Sequence, residues 1–484
     1  MYRVTLYIIV FLIAPFTYAQ VFVGNGGSIA TTNNSIVFLN NTNLINNGYV
    51  KHAGLLVIEG SLTNNDSFVS TVNGTNQVLV DQNWINNGNY TSGNGRVVFN
   101  GTNQIIGGTE SSSFYDLILQ GDVGDIKTAQ ASLTVKDSLK LSNVELAVQN
   151  NILTLAKASI EVTREVGYIS TEFPGTVSVN MDIFSPGNIE LPLGFSIDPD
   201  DYRPFILKDP SQEVYEFGLY GNNPSVDGFD ELSLNDSICS IQNAYYYYLK
   251  TASSSLNYSL KLTSDESNYT KMAIWRNAEW QKLTNSNDFS IFEMVGTQTE
   301  NKGNYMTLGV EQPFAYAGED AVDRDGGIYQ LQGDGYLTRL TSMNWTPSID
   351  LSCFDCFEPI LTFGEAGEFV LTVDNGIGCI HSDTVEIVHL REEVFTENAF
   401  TPNRDNLNEV FSPKLLSNET LVKIEVYNRW GAKIYDGNKG WDGTSQSGLP
   451  APQGVYIYVL TVDQALLRGT KNVYYSKGTL TLLR

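Results

Sequence analysis

Apolar residues recur at every second position in short runs along most of the chain. Leu133/Val135, Leu139/Leu141, Val144/Leu146 and Leu153/Leu155 each set two side chains on one face, because successive side chains of a strand point to opposite sides. The same alternation marks "VKIEVYNRWGAKIYD" (422–436) and "GVYIYVLTV" (454–462). No long segment places apolar residues at i, i+3, i+4 and i+7, so very little helix is predicted. An all-β chain follows. Its 26 Tyr, 23 Phe and 42 Gly against only 17% charged residues agree with strands and turns. The length allows about three domains of roughly 150 residues each.

The first third repeats itself. "LINNGYV" (44–50), "SLTNNDSFV" (61–69) and "NWINNGNYT" (83–91) share an apolar residue, then Asn-Asn-Gly or Asn-Asn-Asp, then an aromatic. Asn46, Asn64 and Asn86 are 18 and 22 residues apart, and "GTNQ" occurs at 74–77 and 101–104. Periods of this size mark stacked supersecondary units. Asn and Gly suit the tight turns between them. Residues 20–165 therefore read as a β-solenoid, with a row of hairpins in a sandwich as the alternative. "NWINNGNYTSGNGRVVFNG" followed by "FYDLILQ" (114–120) resembles a module of surface proteins from gliding Bacteroidetes-type bacteria. That resemblance supports the solenoid and implies no activity.

Residues 166–312 read as a β-sandwich. Trp275 and Trp280 flank a turn at Asn277-Ala278. The run Tyr245–Tyr248 suggests sugar stacking, but a strand can set only alternate tyrosines on one face. Core packing on one side and cover on the other is the expectation. Residues 313–391 carry "AGED", "NWTPS", "LSCFDCFEP" and "DNGIGCIHSDTVEI", phrases that resemble the PKD-like or Ig-like modules of secreted bacterial proteins. Such modules often place a Cys in the first strand, near Ala321-Val322-Asp323. Its absence here implies a local Cys353–Cys356 disulfide, with Cys379 free or paired with Cys239.

Residues 392–484 form a compact β-domain of at least four strands, with Trp430 and Trp441 expected to close the ends of its core. Several motifs stand in order there: Phe400-Thr401-Pro402-Asn403 with Asp405 and Asn408, Asn428-Arg429-Trp430-Gly431, Gly440-Trp441-Asp442-Gly443, Gly454-Val455-Tyr456, and Lys477-Gly478 before Arg484. They resemble the type B C-terminal sorting domain of the type IX secretion system, also called the gliding-motility-associated C-terminal domain. The family has Gly-Asp-Gly after the Asn, where this chain has Arg404-Asp405-Asn406. The resemblance implies export by the outer-membrane machinery of that system, and a protein that is secreted or displayed on the outer membrane.

Charge fits two different surroundings. The net charge is −25, yet residues 392–484 hold 10 basic and 10 acidic residues, which leaves 19 of the 29 basic and 44 of the 54 acidic ones in residues 1–391. An acidic body repels phosphate backbones, so nucleic acid is excluded as a partner. Residues 1–19 read as a secretory signal peptide: Arg3, an apolar stretch from Leu6 to Ala14, and a Thr17-Tyr18-Ala19 cleavage site. No later run is long enough for a membrane span.

Candidate chemistry is sparse. The chain has three histidines, His52, His381 and His389, and lacks a nucleophile elbow, P-loop, His-Glu-x-x-His or dinucleotide fingerprint. Cys353-x2-Cys356 with Cys379-x-His381 outlines a zinc site, against which an oxidising compartment favours disulfides. Asp320/Asp323/Asp325 and Asn403/Asp405/Asn408/Glu409 offer oxygen ligands that suit Ca2+, without matching the EF-hand loop. No catalytic or metal-ligating residue and no cofactor is assigned. Two readings of function follow: a non-enzymatic, adhesin-like or gliding-associated surface protein that meets glycans or other cell surfaces, or a carbohydrate-active hydrolase or lyase carrying the same sorting domain.

Overall fold

The computed structural model describes residues 19–484 apart from 73–75, 158–159, 182–186, 197–200, 209, 252–255, 262–265, 267, 270, 284–288, 291–292, 299–302, 324–327, 337–341, 363–366 and 391. The signal-peptide reading of residues 1–19 (Ala19 apart), the start of the first "GTNQ" and Asp325 lie outside the described residues. The chain is all-β and divides into two compact units, residues 1–311 and 312–484.

The first unit begins as a parallel solenoid. One face stacks eight strands, from Ala19–Val23 through Thr42–Asn46, Leu62–Asn64, Trp84–Asn86, Gln104–Gly107, Ile126–Ala129 and Glu145–Ala147 to Tyr168–Ser170. A second, shorter face stacks Ser28–Ala30, Tyr49–His52, Ser67–Ser70 and Asn89–Thr91. The third runs from Ser35–Leu39 to Thr176–Asn180, also in parallel pairing. Equivalent residues sit directly above one another: Leu44 pairs with Leu62, and Leu62 with Trp84. Inward positions are apolar, and Phe68, Trp84, Phe99 and Phe114 are fully buried in a continuous aromatic column.

The repeated Asn-Asn pair explains the period. Asn46, Asn64 and Asn86 are fully buried. The Asn46 amide donates to Asn64 Oδ1 at 2.8 Å, and Asn64 donates to Asn86 Oδ1 at 2.8 Å. A second ladder runs beside it outside, with Asn65 donating to Asn47 at 2.7 Å and Asn87 to Asn65 at 2.8 Å. Each amide therefore bonds to its copies above and below, which satisfies polar groups that burial would otherwise penalise. The glycine that follows is steric: a Cβ on Gly48 or Gly88 would strike the Gly27 or Asp66 carbonyl of the coil before.

Another buried polar group enters at Lys127. Its Nζ donates to the Gly101 and Thr102 carbonyls, the latter at 2.7 Å, and to Gln104 Oε1 at 2.8 Å. Burial pulls its pKa down to about 8, opposed by the Asp125 carboxylate.

The solenoid's third face continues into the sandwich as one sheet. Thr176–Asn180 pairs antiparallel with Val214–Tyr220, which leads to Tyr246–Lys250, Asn304–Glu311, Lys271–Arg276 and Glu279–Lys282. A second antiparallel sheet holds Asn188–Leu191, Phe205–Lys208 and Leu256–Lys261 with Glu293–Gln298 and Phe289–Ser290. A single apolar core extends from Val23 to Leu308. Tyr245 and Tyr247 join this core, while Tyr246 and Tyr248 pack on the opposite side with Tyr305. The run is thus used for packing on both faces. Trp275 pairs with Trp280 across a turn whose Asn277 and Ala278 both have positive φ.

In the second unit, Ala321–Asp323, Ile380–His389, Gly367–Asp374 and Ser342–Thr346 form one sheet of a small β-module around buried Trp345. The Trp345 indole donates to the Cys356 carbonyl at 2.8 Å, beside the Cys353–Cys356 disulfide. None of the four cysteines is free, so these thiols are not available to zinc. His381 Nδ1 accepts from the Ala315 amide at 3.0 Å. The C-terminal domain is a five-stranded sheet in the order Ala399–Phe400, Lys471–Leu482, Gly454–Ala465, Glu419–Tyr427, Lys433–Gly437.

Two predictions follow from the solenoid. Asn64→Leu keeps the volume but strips a partner from both Asn46 and Asn86; it should cost on the order of 1–3 kcal/mol in chemical denaturation, against less than about 1 kcal/mol for Asn65→Ala on the exposed ladder. An equal cost for the two would contradict the buried ladder's role. For Lys127, the folded state binds the proton more weakly than the unfolded state, whose pKa is near the ordinary lysine value of 10.5. Between about pH 8 and 10.5 the unfolded chain holds a proton that the folded chain lacks, so stability from this group rises with pH across that window. The stability of wild type relative to Lys127→Met should increase from pH 8 to pH 10.

Candidate functional site

The sequence motifs of residues 392–484 are spread over the last fifth of the chain, and folding draws most of them to one end of the C-terminal domain. Trp441 is its centre. It is fully buried, meets Phe400 at 5.3 Å and Tyr456 at 5.0 Å between ring centroids, and donates from Nε1 to the Thr444 carbonyl at 2.6 Å. Its backbone exchanges two hydrogen bonds of 2.9 Å with Phe411, a residue that the motif reading did not single out. Nothing in the motifs marks Phe411; only the antiparallel bridge to Trp441 brings it in. A Cβ on Gly440 would come within 3.0 Å of the Phe411 carbonyl oxygen.

Trp430 differs from the expectation that both tryptophans close the core. It is 82% exposed at the tip of the hairpin between Glu419–Tyr427 and Lys433–Gly437. The reason is local. Asn428 Oδ1 accepts from the amides of Trp430 and Ala432, both at 2.9 Å, and Gly431 takes φ +78°. This closes a tight turn that ends the strand alternation after Tyr427 and turns the indole outward.

Two arginines lie at this end of the domain, both near Tyr456. The Arg429 guanidinium lies 5.8 Å from the Trp430 ring centroid and passes over Gly454, whose Cβ would stand 3.8 Å from it. Arg484 donates to the Gly443 carbonyl at 2.9 Å. Gly443 has φ +78° and would bring a Cβ within 3.0 Å of Pro402. Thus Pro402, Gly443, Arg429, Gly454 and Arg484 meet at one end. Gly478 sits further along its strand, where the Tyr458 ring lies against the bare backbone; the neighbouring Lys477 is exposed.

The loop after Pro402 is tied to itself. Thr401 donates its amide to the Asn408 carbonyl at 2.8 Å, Asn403 Nδ2 donates to Asp405 at 2.9 Å, and Asp405 accepts the Leu407 amide at 2.8 Å. The Asn403 and Leu407 bonds hold the Asp405 carboxyl below its ordinary pKa. Asp442 accepts from the amide and hydroxyl of Thr444 at 3.0 and 2.6 Å. Among the described residues, no three His, Cys, Asp or Glu converge as a ligand set. The arrangement is suited to recognition through shape, one open indole and two cations.

Elsewhere in the second unit a cleft of about 860 Å³ opens beside the Cys353–Cys356 disulfide, with Tyr316, Phe357, Asp334 and Glu358 on its walls. Asp334 accepts the Gly335 amide at 2.7 Å, and both carboxylates face solvent.

Residues 394–481 match the family model described as the CHU_C type IX secretion signal domain. Comparison with curated proteins returns no match. Among solved structures, a chimeric titin Z1Z2–Z1Z2 tandem is 12% identical, covering 36% of this chain and all of that one, with a TM-score of 0.16. The insect immune protein hemolin is 7% identical over 58% of this chain and 95% of its own, with a TM-score of 0.18. Dimeric latent PorU from Porphyromonas gingivalis is 11% identical over 49% of this chain and 31% of its own, with a TM-score of 0.15. Scores this low support no inference about this chain. Residues 394–481 are a type IX secretion signal domain, and the chain that carries them is exported to the cell surface or outer membrane.

Proposed function

We propose that the exported body, residues 20–391, is a non-enzymatic, adhesin-like module that holds glycans or neighbouring cell surfaces by many weak contacts. The observation that carries this reading is how the solenoid spends its polar groups. Its amides run in ladders and most of its carboxylates stand apart, although burial and the nearby Glu59 raise the pKa of Asp81. Asp116 accepts from the Ser138 hydroxyl at 2.5 Å, and Glu59 accepts the Asn41 amide at 2.8 Å. A hydrolase or lyase needs a proton donor and acceptor set around one scissile bond, commonly with one of them desolvated. Weak contacts repeated over many displayed copies give firm attachment through avidity.

A second reading, a carbohydrate-active enzyme, draws on one feature: the cleft that holds Asp334 and Glu358 between Tyr316 and Phe357. The two readings separate on turnover. The purified mature chain should retain glycans or cells in a binding assay and release no sugar from common polysaccharides. Depolymerisation above about 1 per second, the low end of ordinary enzymes, abolished by Asp334→Asn or Glu358→Gln, would replace the first reading by the second.

The export statement has its own test. Removing residues 394–484 should leave the rest of the chain in the periplasm, and display of the truncated chain at the normal level would contradict it. Trp441→Ala should have the same effect by another route, because emptying a fully buried indole site costs about 3–5 kcal/mol in a domain with a small core of its own.

A further inference from the structure

Of the six tryptophans, Trp430 alone is exposed, and Trp275 is half-buried. Trp84, Trp280, Trp345 and Trp441 are essentially fully buried, whereas Trp430 is 82% exposed. Leaving a large apolar ring in water forfeits its burial energy. The turn that holds it out is nevertheless built with care: two amides bonded to Asn428 Oδ1, a glycine at positive φ, and the Gly431 amide bonded to the Asn428 carbonyl at 2.9 Å. A rigid hairpin with an open indole has already lost the entropy that binding would otherwise remove. Trp and Arg are also the residue types that dominate binding hot spots.

The surroundings extend the patch. Tyr427 pairs with Ile457 across the sheet, and Val455 and Ile457 point from the same outer face, 57% and 46% exposed. Arg429 stands at its border. The carboxylates at this end, Asp405 and Asp442, accept hydrogen bonds within their own loops, while Lys423 and Lys433 are taken up by Glu425 and Asp436 further along the hairpin. The turn itself, Trp430 beside Arg429, is thus apolar and cationic in a chain of net charge −25.

We propose that Trp430, with Arg429 and the Val455–Ile457 face, is the surface by which the folded domain docks on the type IX export machinery, in an apolar pocket rimmed by carboxylates. This rests on the reading of residues 394–481 as the export signal. The indole fills the pocket, and the guanidinium of Arg429 pairs with its rim. The narrow footprint, one aromatic on a fixed turn with one cation beside it, fits a shaped protein pocket, whereas a lipid surface is met by a broad apolar face with many cations.

The test uses the full chain expressed in a host with a working type IX system, with surface and periplasmic pools measured separately. Trp430→Ala should lower the surface pool at least about tenfold, as expected for loss of a hot-spot residue, while leaving the melting temperature of the purified protein unchanged. Trp430→Phe should retain part of the export, and Arg429→Asp should lower it more than Arg429→Gln. Normal display of Trp430→Ala, alongside periplasmic retention of the chain lacking 394–484, would overturn the docking proposal and leave the export signal intact. Normal display of both would overturn the export reading itself. Flotation of the wild-type protein with vesicles of outer-membrane lipid, lost in Trp430→Ala, would assign the indole to the membrane and also overturn the proposal.

Discussion

The first unit depends on one constraint: parallel strands of successive coils must lie about 4.8 Å apart, so whatever occupies a position in one coil meets its own copy in the next. Asn46, Asn64 and Asn86 turn that constraint into a continuous buried hydrogen-bond ladder. The glycines beside them exist because the adjacent coil leaves no room for a Cβ. The third face of the stack then continues without a break into the antiparallel half of a 15-stranded sheet. Parallel solenoid and antiparallel sandwich share one core, since a strand edge can accept either kind of partner.

The C-terminal domain works by a different economy. Its core is small and centres on Trp441, held by Phe400, Phe411 and Tyr456. The strands are long, with Gly454–Ala465 paired along its whole length to Lys471–Leu482. That rigid sheet lets a short hairpin display an indole in a fixed position. Balanced charge in this domain, set against an acidic body, matches a part that must touch a machine rather than the body's surroundings.

The solenoid was legible because its polar residues repeat with the coil, and the Asn spacings of 18 and 22 reappear as the inter-coil register. The buried Lys127 was not legible, since a lone lysine in a strand reads as solvated; only the carbonyls of Gly101 and Thr102 converging on it make burial tolerable. The shared sheet was also hidden, because period-two alternation is the same for parallel and antiparallel pairing. Tyr246 is covered by Phe229, from an irregular segment whose pattern announces no layer. In the tail, the motifs located the domain but misassigned Trp430, because apolarity predicts burial and only the Asn428 turn geometry reverses it. Arg484 meeting Gly443 across 41 positions is likewise a product of folding alone.

On this reading the C-terminal domain is itself the export signal, independent of the body it follows. Its most direct test is to fuse residues 392–484 to a soluble periplasmic reporter in a host with an active type IX system and measure protease-accessible reporter on intact cells. The account predicts that the fusion reaches the surface while the bare reporter stays in the periplasm. A folded fusion that remains periplasmic would contradict it.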